Sequence, residues 1–462
     1  MRILVLLFLT LVFGAGIALA DKGTDTQRIQ PFAANPWYWQ YKGKPVMLLG
    51  GSVEDNLFQI SNLKEHLDQL ASSGGNYVRN TMSSRDDGYV WPFLKIQDGK
   101  YDLEKMDADY WKRFENLLKL ALERDIIVQI EVWDRFETAR EPWEASPYNP
   151  ANNINYAQEQ TGLAHRYPNH PGSNENPFFR SPPTLQNIPT LIEYQTAQVD
   201  KMLSISLKYP NVLYCIDNET SASPLWSEHW ARYILKKARQ CGVTVYVTKM
   251  WDAWNLGHPS NKATFDHLEL YAFVDISQNN HQKGQTHRDN AMKAREYLAS
   301  KPRPINMVKV YGNDASTYGS TRDGLERFWR STLGGMAAIR FHRPSAGLGF
   351  GAEAEANIRS ARMLFDLLDF TQMSPEDGLL EERKDNEASC LARRGFQYAV
   401  FCTNGGAVEI DTGVDSFQGS LRWLDFRQSR WHEDAVTVNG RKLKLRALGK
   451  GLWVALAERE KP

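Results

Sequence analysis

The sequence is short of several things. Only four cysteines occur in 462 residues, at 215, 241, 390 and 402. None forms a C-x-x-C pair, so the spacing of a zinc or dithiol site is missing. Neither charge is in excess: Lys plus Arg number 55 and Asp plus Glu 55, for a formal net charge of zero. That balance excludes a nucleic-acid binder held by a basic surface. A hydrophobic share of 42% excludes wholesale disorder. There is no H-E-x-x-H metal pair and no G-x-S-x-G nucleophile elbow. After the N-terminal stretch, no uncharged run is long enough to cross a bilayer.

Aromatic residues, by contrast, are plentiful. Fourteen Trp, 19 Tyr and 20 Phe make up 11% of the chain. Most large rings fill cores. Those on loops are candidates for stacking on the C–H face of a sugar.

Met1–Ala20 reads MRILVLLFLTLVFGAGIALA. One early charge, an apolar run and small residues at Ala18 and Ala20 form the pattern of a secretory signal cut after Ala20. The expectation is a secreted or periplasmic chain with no stable membrane insertion. Export permits disulfides. Cys390 and Cys402 flank a predicted hairpin, so a cross-strand bridge is one expectation. Cys215 reads as a small apolar filler.

Eight short apolar runs follow, at 45–50, 76–80, 125–133, 211–216, 243–248, 271–277, 304–310 and 335–341. Helical spacing separates them, as over 106–123, 190–208 and 354–370. Eight strand–helix units predict a (β/α)8 barrel, an α/β fold, over 21–372 with an N-terminal extension. The extension, 21–44, either pairs with the C-terminal part or closes the barrel bottom. Gly347, Gly349 and Gly351 follow the last strand, so they read as a loop and not a nucleotide fingerprint. The excursion 135–189 follows strand three and therefore lies at the C-terminal end of the barrel, where barrel enzymes place their sites. Its aromatics suggest an ordered cleft wall. From 373 to 462, short alternating runs separated by turns such as Asn439-Gly440 predict an antiparallel β-sandwich.

Chemistry concentrates at Asp217-Asn218-Glu219-Thr220, which closes strand four. A carboxylate at the C-terminal end of a barrel strand reads as catalytic. Asn-Glu in this place, with Arg79 on strand two, resembles clan A of the glycoside hydrolases. That resemblance implies Glu219 as general acid/base, and Asn218 and Arg79 as sugar-holding residues. Leu421-Arg422-Trp423-Leu424-Asp425-Phe426-Arg427 and Gly449-Lys450-Gly451-Leu452-Trp453-Val454 look like the small sandwich, labelled collagen-binding, that follows apiosidase-like and cellulase-like barrels. The N-glycosylation pattern at Asn218 reads as unused, because a glycan would block the barrel mouth.

Strand seven departs from the clan. Where a Glu nucleophile is expected, the chain has Lys309, which cannot form a glycosyl ester. The second carboxylate then comes from elsewhere. Asp134 and Asp252 follow the two strands that neighbour strand four. Asp275 on strand six and Asp314 after strand seven are further choices. Trp133, Trp251 and Trp254 are expected stacking platforms; His281 and Tyr311 are expected to hold the sugar. Lys249, Lys309, Arg340, His342 and Arg343 gather at strand ends. They point either to an anionic sugar, uronic or sulfated, or to neutralised carboxylates. His281 and His287 lack the register of a metal pair. The expected protein is a glycoside hydrolase with a carbohydrate substrate, no metal and no cofactor. Two other readings stand: a glycan-binding barrel that does not cleave, and a lyase using Lys309 or Tyr311 as base.

Overall fold

The computed structural model describes residues 26–86, 88–432 and 436–460. The expected leader, Met1–Ala20, lies outside them.

All eight apolar runs become parallel strands of one sheet. They are β1 (Leu48–Gly51), β2 (Tyr77–Thr81), β3 (Ile127–Asp134), β4 (Val212–Asn218), β5 (Val247–Thr248), β6 (Val274–Asp275), β7 (Ile305–Val310) and β8 (Ala338–Phe341). Their order is β5-β4-β3-β2-β1-β8-β7-β6, a barrel closed except for a seam between its two shortest strands. Every residue of β3, β4 and β7 is buried, as a parallel sheet covered on both faces requires. Helices follow each strand: α1 (Leu63–Ser72), α2 (Ala108–Leu122), α3 (Pro189–Ser206), α4 (Pro224–Gln240), α5 (Pro259–Phe265), α6 (Gly284–Tyr297), α7 (Thr321–Thr332) and α8 (Ala352–Phe365). In α2, Tyr110, Phe114, Leu117, Leu118 and Ala121 make the buried stripe, and the Asp107 carboxylate caps the first turn by accepting from the Tyr110 N–H.

The N-terminal extension closes the barrel floor. Its strands Trp39–Tyr41 and Lys44–Val46 form a hairpin. Trp39 joins Leu48, Tyr77, Ile127 and Leu213 in one core and meets Phe273 edge-on. Its indole N–H donates to Asn306 at 3.0 Å, so the buried nitrogen is satisfied.

Two antiparallel sheets follow the barrel. The larger contains Ala388–Arg393, Gln397–Cys402, Phe417–Asp425 and Trp453–Arg459; the smaller contains Ala407–Asp411 and Lys442–Arg446. Alternation along Gln397–Cys402 sends Tyr398, Val400 and Cys402 into a core shared by both sheets. Ala399 and Phe401 face the other way, into the barrel's helix layer. Phe401 and Phe426 pack on Trp329 of α7, at centroid distances of 6.3 and 5.3 Å. The expected Cys390–Cys402 bridge is corrected by the register. Cys390 stands opposite Val400 and Cys402 opposite Ala388, so the two thiols are diagonal neighbours and both are free. Diagonal positions are too far apart for a disulfide.

Trp329 is fully buried and serves both halves. Trp329→Ala should lower unfolding stability by about 3–5 kcal/mol in urea titration. A loss below about 1 kcal/mol would show that the sheets do not depend on this contact.

Candidate functional site

A cleft of about 440 Å³ opens at the C-terminal ends of the strands. Asn218, Glu219, Lys309, Tyr311, His342 and Arg343 line it, with Asp55, Arg85, Phe136 and Ala139–Pro142. Its position follows from the fold, because each of these residues ends a strand or begins the loop after one.

Glu219 comes one residue after β4 and has φ +54, a conformation rare for a side-chain-bearing residue. The next residue is pinned: the Thr220 N–H donates to Met250 at 2.9 Å, and the Asp252 N–H donates back to Thr220 at 2.9 Å. Two donors converge on Glu219 Oε1. One is the Lys309 ammonium, in a close ion pair. The other is the Tyr311 hydroxyl, at 3.1 Å. Burial pushes the Glu219 carboxyl up, but the Lys309 charge and hydrogen bond, then Arg135 and Gln278, outweigh it. The net is an acid well below the usual carboxylate range, ionised at neutral pH.

Lys309 also donates to Asn218 Oδ1 at 2.5 Å, and Asn218 Nδ2 donates to Asp134 at 3.0 Å. Asp134 accepts from Arg85 as well, and Arg85 reaches Asp55 at 3.2 Å. Asp55 binds Arg79, which holds Glu131 at 2.6 Å. Charges therefore alternate from Glu219 through Lys309, Asn218, Asp134, Arg85, Asp55 and Arg79 to Glu131. His342 and Arg343 approach Asp55 at 3.6 and 3.3 Å. Burial raises the Asp55 carboxyl, but the guanidinium groups of Arg79, Arg343 and Arg85 hold it well below its ordinary range. His342 is held neutral, chiefly by burial.

Several sequence expectations need correction. Trp133 does not face the cleft; it is 4% exposed and wedged among Phe178, Trp226 and Trp230. Trp251 is buried too, donating to Thr264 at 2.9 Å with the Lys249 ammonium 3.1 Å from its ring centre. Of the three tryptophans only Trp254 is open, at 54% exposure. Most aromatics of the long excursion turn inward, with Trp143, Tyr148, Phe178 and Phe179 buried; the expected aromatic wall holds at Phe136, which lines the cleft with Ala139–Pro142 and Pro171. Arg79 is fully buried between two carboxylates and touches no cleft surface. Arg340 is equally buried and donates to the Val308 carbonyl at 2.8 Å. Asn218 is 2% exposed with its oxygen and its amide both used by protein, which leaves no room for a glycan.

The proposed second carboxylates separate as well. Asp134 is buried and saturated by Asn218, Arg85 and the Phe136 N–H, so it has no edge for a substrate. Asp252 pairs with Arg135 and keeps 25% of its side chain exposed. Asp275 is buried and accepts from the Ser277 N–H at 2.8 Å; burial, above all, lifts its carboxyl to about 6. Asp314 is an exposed cap on Thr321. Asp217 and Glu137 are pushed up to about 8, chiefly by burial, but neither lines the cleft. His287 is fully buried in α6, and among the described residues no cluster of metal-ligating side chains is present.

Asp55 and Arg85 are cleft residues that the sequence expectations did not include. Both had a usable signal, since each follows a strand run at the C-terminal end, strands one and two. Gly347 was read as a loop, and the structure shows what it allows. A side chain there would meet the His342 and Val310 carbonyls at 2.6 Å, so the loop after β8 can lie against the strand ends only without one.

No family model and no curated protein matches the chain. Solved structures do. A glycoside hydrolase aligns with a TM-score of 0.63 at 10% identity, covering 94% of this chain and 97% of that one. A glycoside hydrolase family 5 protein from Bacteroides vulgatus gives 0.61 at 12%, covering 94% of each. The endo-1,4-beta-mannanase from Rhizomucor miehei gives 0.51 at 13%, over 73% of this chain and 99% of that one. Identities this low establish a shared barrel fold and leave function to the site.

Lys309→Met removes the dominant force holding Glu219 ionised. The Glu219 titration should then move from below its ordinary value, ~4.3, to above it. Infrared difference spectra against the Lys309→Met/Glu219→Gln double variant read this directly. A midpoint that stays low would mean that Arg135 and Gln278 suffice. The sign extends to stability. In wild type the depressed Glu219 stabilises the fold above pH ~4.3 and loses that contribution as pH falls through its folded value. The variant should lose it throughout.

Proposed function

We propose that the chain is a glycoside hydrolase, that its cleft takes a poly- or oligosaccharide, and that Glu219 is the carboxylate acting at the glycosidic bond. One observation carries the reading. A carboxylate stands directly after the fourth strand, in a strained left-handed conformation, and opens into the cleft while two donors fix one of its oxygens. Strain of this kind concentrates at functional positions. Two solved structures that share the fold over nearly the whole chain are glycoside hydrolases, which supports the same class. The N-terminal leader pattern supports a secreted or periplasmic enzyme.

Glu219 is ionised while Lys309 holds it, so it meets the substrate as a base. The acid half of an acid/base cycle requires that a bound sugar draw Lys309 away from Oε1. Of the two neighbouring carboxylates, Asp252 keeps an open edge that Asp134 lacks, but it stands outside the lining of the cleft and is paired with Arg135. Of the cleft cations, Lys309, Arg85 and Arg343 are all paired with protein carboxylates. Arg140, exposed on the cleft wall, is the one that supports a uronic or sulfated substrate. Tyr311 is a poor lyase base, because burial and the neighbouring Glu219 both keep its hydroxyl protonated.

A second reading, a barrel that binds glycan without cutting it, is favoured by Lys309 standing in the place of a strand-seven carboxylate. One experiment separates the two. On a panel of neutral and uronic polysaccharides, wild type should release reducing ends, and Glu219→Gln should lose at least about a hundredfold of that rate while still binding. Wild-type binding with no release would establish the non-cleaving barrel. Full release by Glu219→Gln would remove Glu219 from the chemistry.

A further inference from the structure

Two segments distant in sequence are joined beside Glu219. One is the turn 219–222, which carries the carboxylate. The other is a strap, 169–176, in the long excursion after β3; its Pro171 lines the cleft. The strap is closed on itself and anchored. Asn169 Nδ2 donates to Glu175 at 2.6 Å, and Asn176 Nδ2 donates to the Thr138 carbonyl at 2.9 Å. The Arg180 guanidinium holds the Asn174 carbonyl.

Ser221 is the joint. Asn174 Nδ2 donates to its carbonyl at 2.6 Å, and its hydroxyl lies 3.3 Å from Asn174 Oδ1 and 3.4 Å from the Gly172 carbonyl. The same hydroxyl accepts from Arg135 Nη1 at 2.8 Å. The other arm of Arg135 forms a close ion pair with Asp252, whose N–H donates to the Thr220 carbonyl at 2.9 Å. One guanidinium therefore ties together the loops after β3, β4 and β5. Its side chain is 2% exposed, so leaving either partner would strand a buried charge. Both sides of the joint carry a left-handed residue, Glu219 at φ +54 and Asn174 at φ +56. Such backbone persists only where its surroundings hold it.

We infer that Arg135, Ser221 and Asn174 are positioning residues, a latch that ties the strap to the turn and so fixes the direction in which Glu219 enters the cleft. The inference rests on Glu219 as the carboxylate that acts on the substrate. None of the three lines the cleft, so each acts through Glu219. Asp252 belongs to the latch, because it holds the second arm of the guanidinium. The strap in turn is part of the site's frame: whatever loosens it loosens the carboxylate.

Two mild variants test the latch. Ser221→Ala removes the hydroxyl. Asn174→Gly removes the amide at a position where glycine accepts the left-handed backbone. Amide hydrogen exchange read by mass spectrometry needs no substrate. In each variant, peptides covering 169–176 and 219–222 should exchange faster together, by about fivefold, the worth of one hydrogen bond. The rest of the chain should be unchanged. Reducing-end release from the polysaccharide panel should fall about tenfold or more in kcat with KM little altered, because a displaced carboxylate loses rate before binding. Arg135→Lys, which keeps the charge and loses the fork, should behave alike. The Ser221→Ala/Asn174→Gly double variant should lose no more than the worse single one, since both break one joint. Faster exchange in the strap alone, with 219–222 and kcat unchanged, overturns the latch and leaves the role of Glu219 standing. A rise in exchange across the whole chain, with kcat per folded molecule unchanged, overturns it too. Wild type that releases nothing from the panel fails the proposed function, and the exchange result then upholds or overturns the latch by itself.

Discussion

The ammonium of Lys309 decides what the cleft can do. It is almost fully buried, and it meets Glu219 and Asn218 at once. Buried charges are tolerated only when paired and hydrogen-bonded. That requirement propagates. Asn218 turns its amide to Asp134, Asp134 needs Arg85, Arg85 and Arg79 need Asp55, and Arg79 needs Glu131. The barrel mouth is thus a single electrostatic network. Removing one member leaves a neighbour buried and uncompensated, which is why these side chains hold defined positions.

The fold supplies the convergence. Residues on β2, β3, β4, β7 and β8 are far apart in sequence, and the barrel brings their strand ends to one mouth. Trp39 and its hairpin seal the opposite end, so the polar network has water on one side only. The long excursion after β3 spends most of its aromatics on packing and presents Phe136, Arg140 and its neighbours as cleft wall.

Much of this was legible in the sequence, for physical reasons. Strands buried on both faces read as continuous apolar runs, so all eight were found. Glu219 was visible because a carboxylate after an apolar run interrupts burial. Side-chain direction at strand ends was not legible. Trp133 and Trp251 sit beside Asp134 and Asp252 in sequence, yet both point into the helix layer. The cations were seen as a rim, but their partners were not, because Asp55 lies hundreds of residues from Arg340 and Arg343. Cys390 and Cys402 depended on a register that spacing does not reveal: a shift of two residues separates a bridge from two free thiols.

A crystal structure of the Glu219→Gln protein with a bound oligosaccharide tests the central claim most directly. The anomeric carbon of a sugar ring should face side chain 219, between Tyr311 on one side and the Asp55–Arg85 pair on the other. A sugar bound elsewhere on the molecule, with the cleft free of it, would contradict the account.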